Sequence, residues 1–288
     1  QTIFFMYGGF LVAGVMAYRL VGMNFFEGIC HAMCSLSTGG FSTRLDSIGE
    51  YKSFPIELVT IVLMLIGTTN FAALLLLTRK KWQQFFKISE VRFMFLLLAV
   101  FVPLTGFSLM SGLHMPLAEG MRRALFDIVS ALSTSGYSSM SYTTWPSFAK
   151  GVLILIMLIG GGIGSTAGGI KMARVYLLLR LAWTNLKKKL SIAPYVEAPF
   201  YTRAQGRTPI TSALWEETGG FVILYLLIFI TGSLLLTLTA QCGVMEAMFE
   251  FASALGTVGL SIGVTGPATC NSALIVETVG MLLGRLEI

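Results

Sequence analysis

Apolar residues in this chain gather into six runs, at 2–21, 56–77, 93–110, 151–163, 221–240 and 272–283, each nearly free of charge. Most approach the ~20 residues a helix needs to cross a bilayer. A soluble protein can bury one such helix, but hardly six. The pattern therefore predicts an all-α polytopic membrane protein. Between the long runs lie three segments of about a dozen residues with helical character, Phe25–Leu36, 122–132 and 245–255. They are too short to span a membrane and fit re-entrant helices better.

Each short segment runs into a loop, and the three loops align without gaps. They read Ser37-Thr38-Gly39-Gly40-Phe41-Ser42, Ser133-Thr134-Ser135-Gly136-Tyr137-Ser138 and Gly256-Thr257-Val258-Gly259-Leu260-Ser261. The shared pattern is Thr-x-Gly-(large apolar)-Ser. Upstream, Leu36, Leu132 and Leu255 align, as do His31, Asp127 and Glu250. Downstream, an apolar stretch ends on Gly67, Gly160 and Gly284, which follow their loop glycines by 27, 24 and 25 residues. Each unit thus reads as outer helix, short re-entrant helix, loop, inner helix. The division is 1–78, 92–180 and 217–288, with connectors at 79–91 and 181–216.

Charge orients these units. The stretches 79–92 and 171–207 hold 13 of the 20 Lys and Arg residues, which by the positive-inside rule puts both on the cytoplasmic side. Parallel units with an even number of spans require the same. The net charge of +6 is explained by topology rather than by binding of nucleic acid. Only 12% of residues are charged and 55% are hydrophobic, far from the balance of a soluble domain. Pro194, Pro199 and Pro209 resist long helices in the longest polar connector. Cys30, Cys34, Cys242 and Cys270 form no metal-ligand spacing and read as packing thiols. The chain opens inside an apolar run, with no signal peptide visible, and is expected to be an excerpt of a longer protein.

Backbone at membrane depth must be hydrogen-bonded unless it lines a polar cavity. A Thr-x-Gly loop after a short helix suits a dehydrated cation, because its carbonyl oxygens can replace the hydration shell. The helix C-terminus adds partial negative charge. A single such loop is also an ordinary Ser/Gly turn; three in register, each before an equivalent apolar helix, argue for a pore. After Gly160 the second unit reads Gly160-Gly161-Gly162-Ile163-Gly164-Ser165-Thr166-Ala167-Gly168-Gly169-Ile170-Lys171. Each glycine costs a helix about 1 kcal/mol relative to Ala, so 160–171 is predicted to interrupt the inner helix as a flexible loop, glycine-mediated helix packing being the alternative. Its spacing excludes a phosphate-binding loop. Arg285 follows the third aligned glycine; it is either a charge deep in the membrane, hence functional, or the membrane edge. The apolar continuation Phe71–Leu77 of the first inner helix favours the former.

The stretches STGGFST (37–43), STSGYS (133–138), GGGIGSTAGGIK (160–171) and GRLE (284–287) are similar to those of the Trk/Ktr/HKT superfamily of potassium transporters, most closely its TrkH/TrkG branch. The resemblance implies four units in pseudo-fourfold arrangement around one pore, of which this chain is similar to the second, third and fourth. It implies a K+ filter made by Thr38, Gly39, Gly40, Thr134, Ser135, Gly136, Thr257, Val258 and Gly259. It further implies an intramembrane gate made by Gly161, Gly162, Gly164, Ser165, Thr166, Gly168 and Gly169, and a positive pore barrier at Arg285, with Glu287 nearby. K+ would be the transported ion, and no enzyme activity or other cofactor is implied. The expected setting is a bacterial inner membrane, as a homodimer bound to a cytoplasmic nucleotide-sensing regulatory ring of the TrkA type. The superfamily also contains Na+-permeable and Na+- or H+-coupled members, so symport remains open. A secondary solute transporter would have inverted repeats, whereas these are parallel. An intramembrane enzyme would need a convergent nucleophile, base or metal set, and His31, His114 and scattered acids supply none. Asp127 and Glu250 are expected to brace their helices, His31 to be a satisfied polar group, and Asn70 to bond across inner helices.

Overall fold

A computed structural model describes residues 2–190, 200–267 and 269–285. Pro194, Pro199 and Glu287 lie outside the described residues. The first set of elements is α1 (Thr2–Leu20), α2 (Phe25–Leu36), a 3-10 turn (Ser47–Tyr51), α3 (Phe54–Thr68), α4 (Phe71–Thr78) and α5 (Trp82–Phe85). The second is α6 (Ser89–Leu113), α7 (Leu117–Leu132), α8 (Ser147–Leu158), β1 (Ile159–Gly160), β2 (Ile170–Lys171) and α9 (Met172–Leu190). An antiparallel hairpin, β3 (Phe200–Arg203) and β4 (Gly206–Pro209), leads to α10 (Ser212–Ala240), α11 (Val244–Leu255) and α12 (Asn271–Arg285).

Among the described residues, α1, α6 and α10 are long and apolar enough to cross a membrane. At 1.5 Å per residue they measure about 28 to 43 Å, against a hydrocarbon core of about 30 Å. The run 56–77 is not one straight span. It divides into α3 and α4, which meet at 116°. Thr69 is extended, and the Asn70 side chain accepts a hydrogen bond from the Ala72 N–H at 2.8 Å, so a new helix begins where hydropathy alone shows continuity. The apolar stretch Phe71–Leu77 therefore leaves the inner helix sideways and does not extend it. The run 151–163 likewise stops early, at Leu158. Ile159 is extended, and Ile159 and Gly160 pair in parallel with Ile170 and Lys171. The hairpin β3–β4 was not anticipated in the polar connector, where the prolines argued only against helix.

The short helices form the centre. α7 packs against α6, α3 and α8; α11 packs against α10, α8 and α12; α2 packs against α1 and α3. Each of the later short helices is thus wedged between its own neighbours and the α3 or α8 helix of the preceding set. A bidentate ion pair reinforces one such wedge, with Arg122 on α7 donating to both oxygens of buried Glu57 on α3 at 2.6 and 2.9 Å. Phe126, Phe249, Tyr137 and Tyr142 fill the interior. The periphery exposes Phe4, Phe5, Leu227, Ile230, Leu234 and Leu238. In water such an apolar surface would drive association; facing hydrocarbon, it is the expected solvent boundary.

Candidate ion-pathway site

The three loops share one backbone geometry. In each, the Thr N–H donates to the carbonyl three residues back: Thr38 to Ser35, Thr134 to Ala131 and Thr257 to Ala254. The next residue donates five residues back, Gly39 to Cys34 at 2.8 Å, Ser135 to Ser130 at 3.0 Å and Val258 to Ser253 at 2.8 Å. This is a Schellman ending on α2, α7 and α11, which demands a left-handed residue at the turn and usually takes glycine there. Here the position is held by Thr38 (φ 53°), Thr134 (φ 53°) and Thr257 (φ 52°). A β-branched residue in that conformation is strained. The same conformation recurs at all three threonines, and backbone strain of this kind clusters at functional sites.

The loops lean on one another in sequence. Gly40 (φ 64°) has no room for a side chain: a Cβ there would sit 1.7 Å from the Ser135 carbonyl oxygen. At Gly136 (φ 83°) it would sit 2.0 Å from the Val258 oxygen. The third member, Gly259 (φ 94°), meets only the Gly136 Cα, at 4.0 Å. So loop one abuts loop two and loop two abuts loop three. A cavity of about 800 Å³ opens on Gly40, Gly136 and Gly259 together, with Arg44, Glu50 and Arg123 on its walls. A second, of about 790 Å³, separates the first loop from the third and is lined by Thr38, Gly39, Thr257 and Arg285 among others.

The outer limb of each loop is tied back to its short helix at the aligned polar position. His31 Nε2 lies 3.0 Å from Ser42 Oγ, its Nδ1 2.8 Å from the Glu27 carbonyl, and its ring stacks on Tyr137. Asp127 accepts from Ser139 N–H, Ser139 O–H and Tyr142 O–H at 3.1, 2.6 and 2.8 Å. Glu250 accepts from Ser261 O–H and the Ile262 and Thr265 N–H groups at 2.6, 3.0 and 3.2 Å. Asp127 and Glu250 thus tie loop to helix, the bracing expected of them, and His31 is a satisfied polar group that makes the equivalent link through Ser42.

The glycine-rich stretch 160–171 crosses beneath the threonines and touches all three loop systems. Thr166 Oγ1 donates to the carbonyls of Leu36 and Gly67 at 3.2 and 3.1 Å. The Gly168 N–H donates to Thr134 Oγ1 at 2.8 Å, and a Cβ on Gly168 would lie 2.0 Å from Thr257 Oγ1. Gly162 N–H donates to Thr68 O at 2.9 Å, Ser165 Oγ to Gly162 O at 2.7 Å, and Lys171 Nζ to Ala167 O at 2.6 Å. Gly161 is buried under Thr68, and Gly164 (φ 71°) and Gly169 (φ 68°) make the bends. Arg285 stands at the end of α12, exposed on the wall of the 790 Å³ cavity. It follows Gly284, whose missing side chain lets α12 cross the Leu255 carbonyl closely; Gly67 does the same over the Leu36 carbonyl.

Sequence reasoning missed Glu90. Buried in the first turn of α6, it accepts from the Ile163 N–H, 73 residues away, and from the Tyr201 O–H. Asn70, expected to bond across inner helices, instead reaches Glu90 at 3.4 Å. Its place as the one acidic residue in the basic stretch 79–92 was the available signal.

Three helix-ending loops gathered at the centre of an apolar helix bundle, with a glycine-rich crossing under them, define the architecture of a multi-pass integral membrane protein. The chain belongs to the TrkH family of cation transport proteins, whose profile matches residues 1–288. It is 29% identical to the Trk system potassium uptake protein TrkH of Halomonas elongata, over all of this chain and 59% of that protein. It is 31% identical to TrkI of the same organism, over 98% of this chain and 57% of that one, and 27% identical to TrkG of Escherichia coli, over 100% and 59%. The crystal structure of the potassium transporter TrkH from Vibrio parahaemolyticus superimposes with a TM-score of 0.86 at 27% identity, covering 100% of this chain and 62% of that one. The chain thus spans about three fifths of the length of the curated relatives it matches. Its place is the bacterial inner membrane.

Proposed function

We propose that this chain supplies three sides of a K+ pathway in a potassium uptake protein, in three units at 1–78, 92–180 and 217–288. Thr38, Thr134 and Thr257 stand at its inner end, and the backbone of Gly39–Gly40, Ser135–Gly136 and Val258–Gly259 lines the selective stretch. The observation that carries this reading is the threefold left-handed threonine. A backbone alternating between the two hands can turn successive carbonyls to one side, the arrangement that replaces a cation's water. The names of the relatives, all potassium uptake proteins, support K+ as the ion. A further Thr-x-Gly loop would occupy the opening between the first and third loops. The stretch 160–171 controls passage, since it lies across the threonines with small residues that permit rearrangement. Arg285 is a positive barrier in the same route. The basic cytoplasmic segments would meet a regulatory ring, and the complete transporter would be a homodimer.

The test is ion flux in liposomes containing the complete purified protein. K+ uptake well above Na+ uptake is expected, and replacing Arg285 with Ala should change the rate or the K+ preference. Equal K+ and Na+ flux would move the assignment to a Na+-permeable member of the family, and no flux above protein-free liposomes would overturn it. Arg285→Ala with unchanged rate and preference would remove the barrier role alone.

A further inference from the structure

One buried carboxylate joins the glycine-rich stretch to the cytoplasmic hairpin. Glu90 is 4% exposed. Its Oε1 accepts from the Ile163 N–H at 3.2 Å and from the Tyr201 O–H at 3.1 Å, and its Oε2 lies 3.4 Å from Asn70 Nδ2. All three partners are donors, an arrangement that suits a carboxylate with both oxygens accepting. They come from three places that otherwise have little reason to meet: the stretch 160–171, the hairpin β3, and the bend between α3 and α4. Two of these bonds fall on the same oxygen, so the holds on Ile163 and on Tyr201 share one acceptor.

The hairpin is seated for the purpose. Tyr201 is 2% exposed and packs with Ala173 and Leu177 of α9, its ring against that of Tyr176. The Thr202 N–H donates to Ser89 Oγ at 3.1 Å, next to Glu90 in the chain. Burial, and Glu90 beside it, push the Tyr201 phenol above its ordinary range, which keeps its proton in place for donation. Any movement of the hairpin must therefore act on the oxygen that also holds Ile163.

We propose that Glu90 is a positioning residue for the glycine-rich stretch, and that the hairpin β3–β4 holds or releases that stretch through the Tyr201–Glu90–Ile163 link. The inference rests on the reading of 160–171 as the element that controls passage. Among the described residues Glu90 bonds to none of the three loops; it acts through the backbone of the stretch.

The experiment compares Glu90→Ala, Glu90→Gln and Tyr201→Phe in the complete purified protein with a variant shortened within 164–168. Two readouts are taken: K+ uptake into liposomes, and the labelling rate of Ala167→Cys by a water-soluble maleimide. The labelling variants have Cys30, Cys34, Cys242 and Cys270 replaced by Ser. Ala167 is 1% exposed, so its labelling reports displacement of the stretch. Losing a buried hydrogen bond shifts an equilibrium by up to about tenfold. Uptake and labelling should thus rise roughly tenfold in Glu90→Ala, less in Glu90→Gln, which keeps one accepting oxygen, and about threefold in Tyr201→Phe. Tyr201→Phe keeps the aromatic packing and guards against a Glu90→Ala that fails to fold. Raised uptake in the shortened variant with no change in Tyr201→Phe and Glu90→Gln would overturn the link and leave the control element standing. Unchanged uptake in the shortened variant would overturn the control element itself. Raised labelling without raised uptake would reduce Glu90 to a structural brace.

Discussion

The three Thr-x-Gly loops and the glycine-rich stretch lie in contact, yet they are held in opposite ways. Each loop is fixed by its own backbone, through the same pair of hydrogen bonds to the helix it ends, and then braced by His31, Asp127 or Glu250. Removing one contact leaves several others enforcing the geometry. Among the described residues, the stretch 160–171 has one short strand pairing and one hydrogen bond each to Thr134, Thr68, Glu90, Leu36 and Gly67, the last two made by the Thr166 hydroxyl. Redundant fixing suits selection, which needs oxygens at set positions. Single attachments suit switching, because each can be made or broken at the cost of about one hydrogen bond.

The sharpest way to break the comparison is to put a methyl group between two loops. Gly40→Ala and Gly136→Ala each drive a Cβ into a neighbouring carbonyl and should lower K+ uptake at least about a hundredfold. Gly259→Ala meets nothing closer than 4.0 Å, so only its left-handed backbone opposes it, and it should lose far less. Equal losses at all three would show that conformation, not contact, sets the limit. Next, shortening the stretch within 164–168 should raise flux roughly tenfold, since attachments that close the route would no longer reach; unchanged flux would make the stretch a passive lining. Asp127→Asn should come third. It replaces an oxygen accepting from Ser139 or Tyr142 by a donor, costing about 2 kcal/mol, and should lower the detergent melting temperature by about 5 °C. The smallest effect is expected at Gly164→Ala, where nothing lies within 4 Å and only the φ of 71° resists. Uptake should stay within about twofold of the parent, and a larger change would mean that this bend is as tightly determined as the loops.

The spans were legible because bilayer thickness dictates run length, and α1, α6 and α10 followed directly. The loops were legible because three copies of Thr-x-Gly stand at matching distances from Leu36, Leu132 and Leu255. The break at Asn70 was hidden, since Phe71–Leu77 is as apolar as what precedes it and a single side-chain cap turns the chain. The partners of Glu90 were hidden for a different reason. Its partners stand 73 and 111 residues away, and no local spacing encodes a meeting of that kind. The hairpin β3–β4 did carry a strand signal, Phe200-Tyr201-Thr202 ahead of a turn glycine at Gly206, but each strand is only four residues long and the prolines around them drew attention to what the segment is not.

The left-handed threonines also set stability against activity. Glycine at Thr38, Thr134 or Thr257 would relieve about 1 kcal/mol of backbone strain at each position while deleting a hydroxyl, which at Thr134 accepts from the Gly168 N–H. A search for thermostable variants would therefore favour replacing the very residues placed at the inner end of the proposed route. If that route is the working one, the sequence that folds most easily and the sequence that carries ions part company at these three positions.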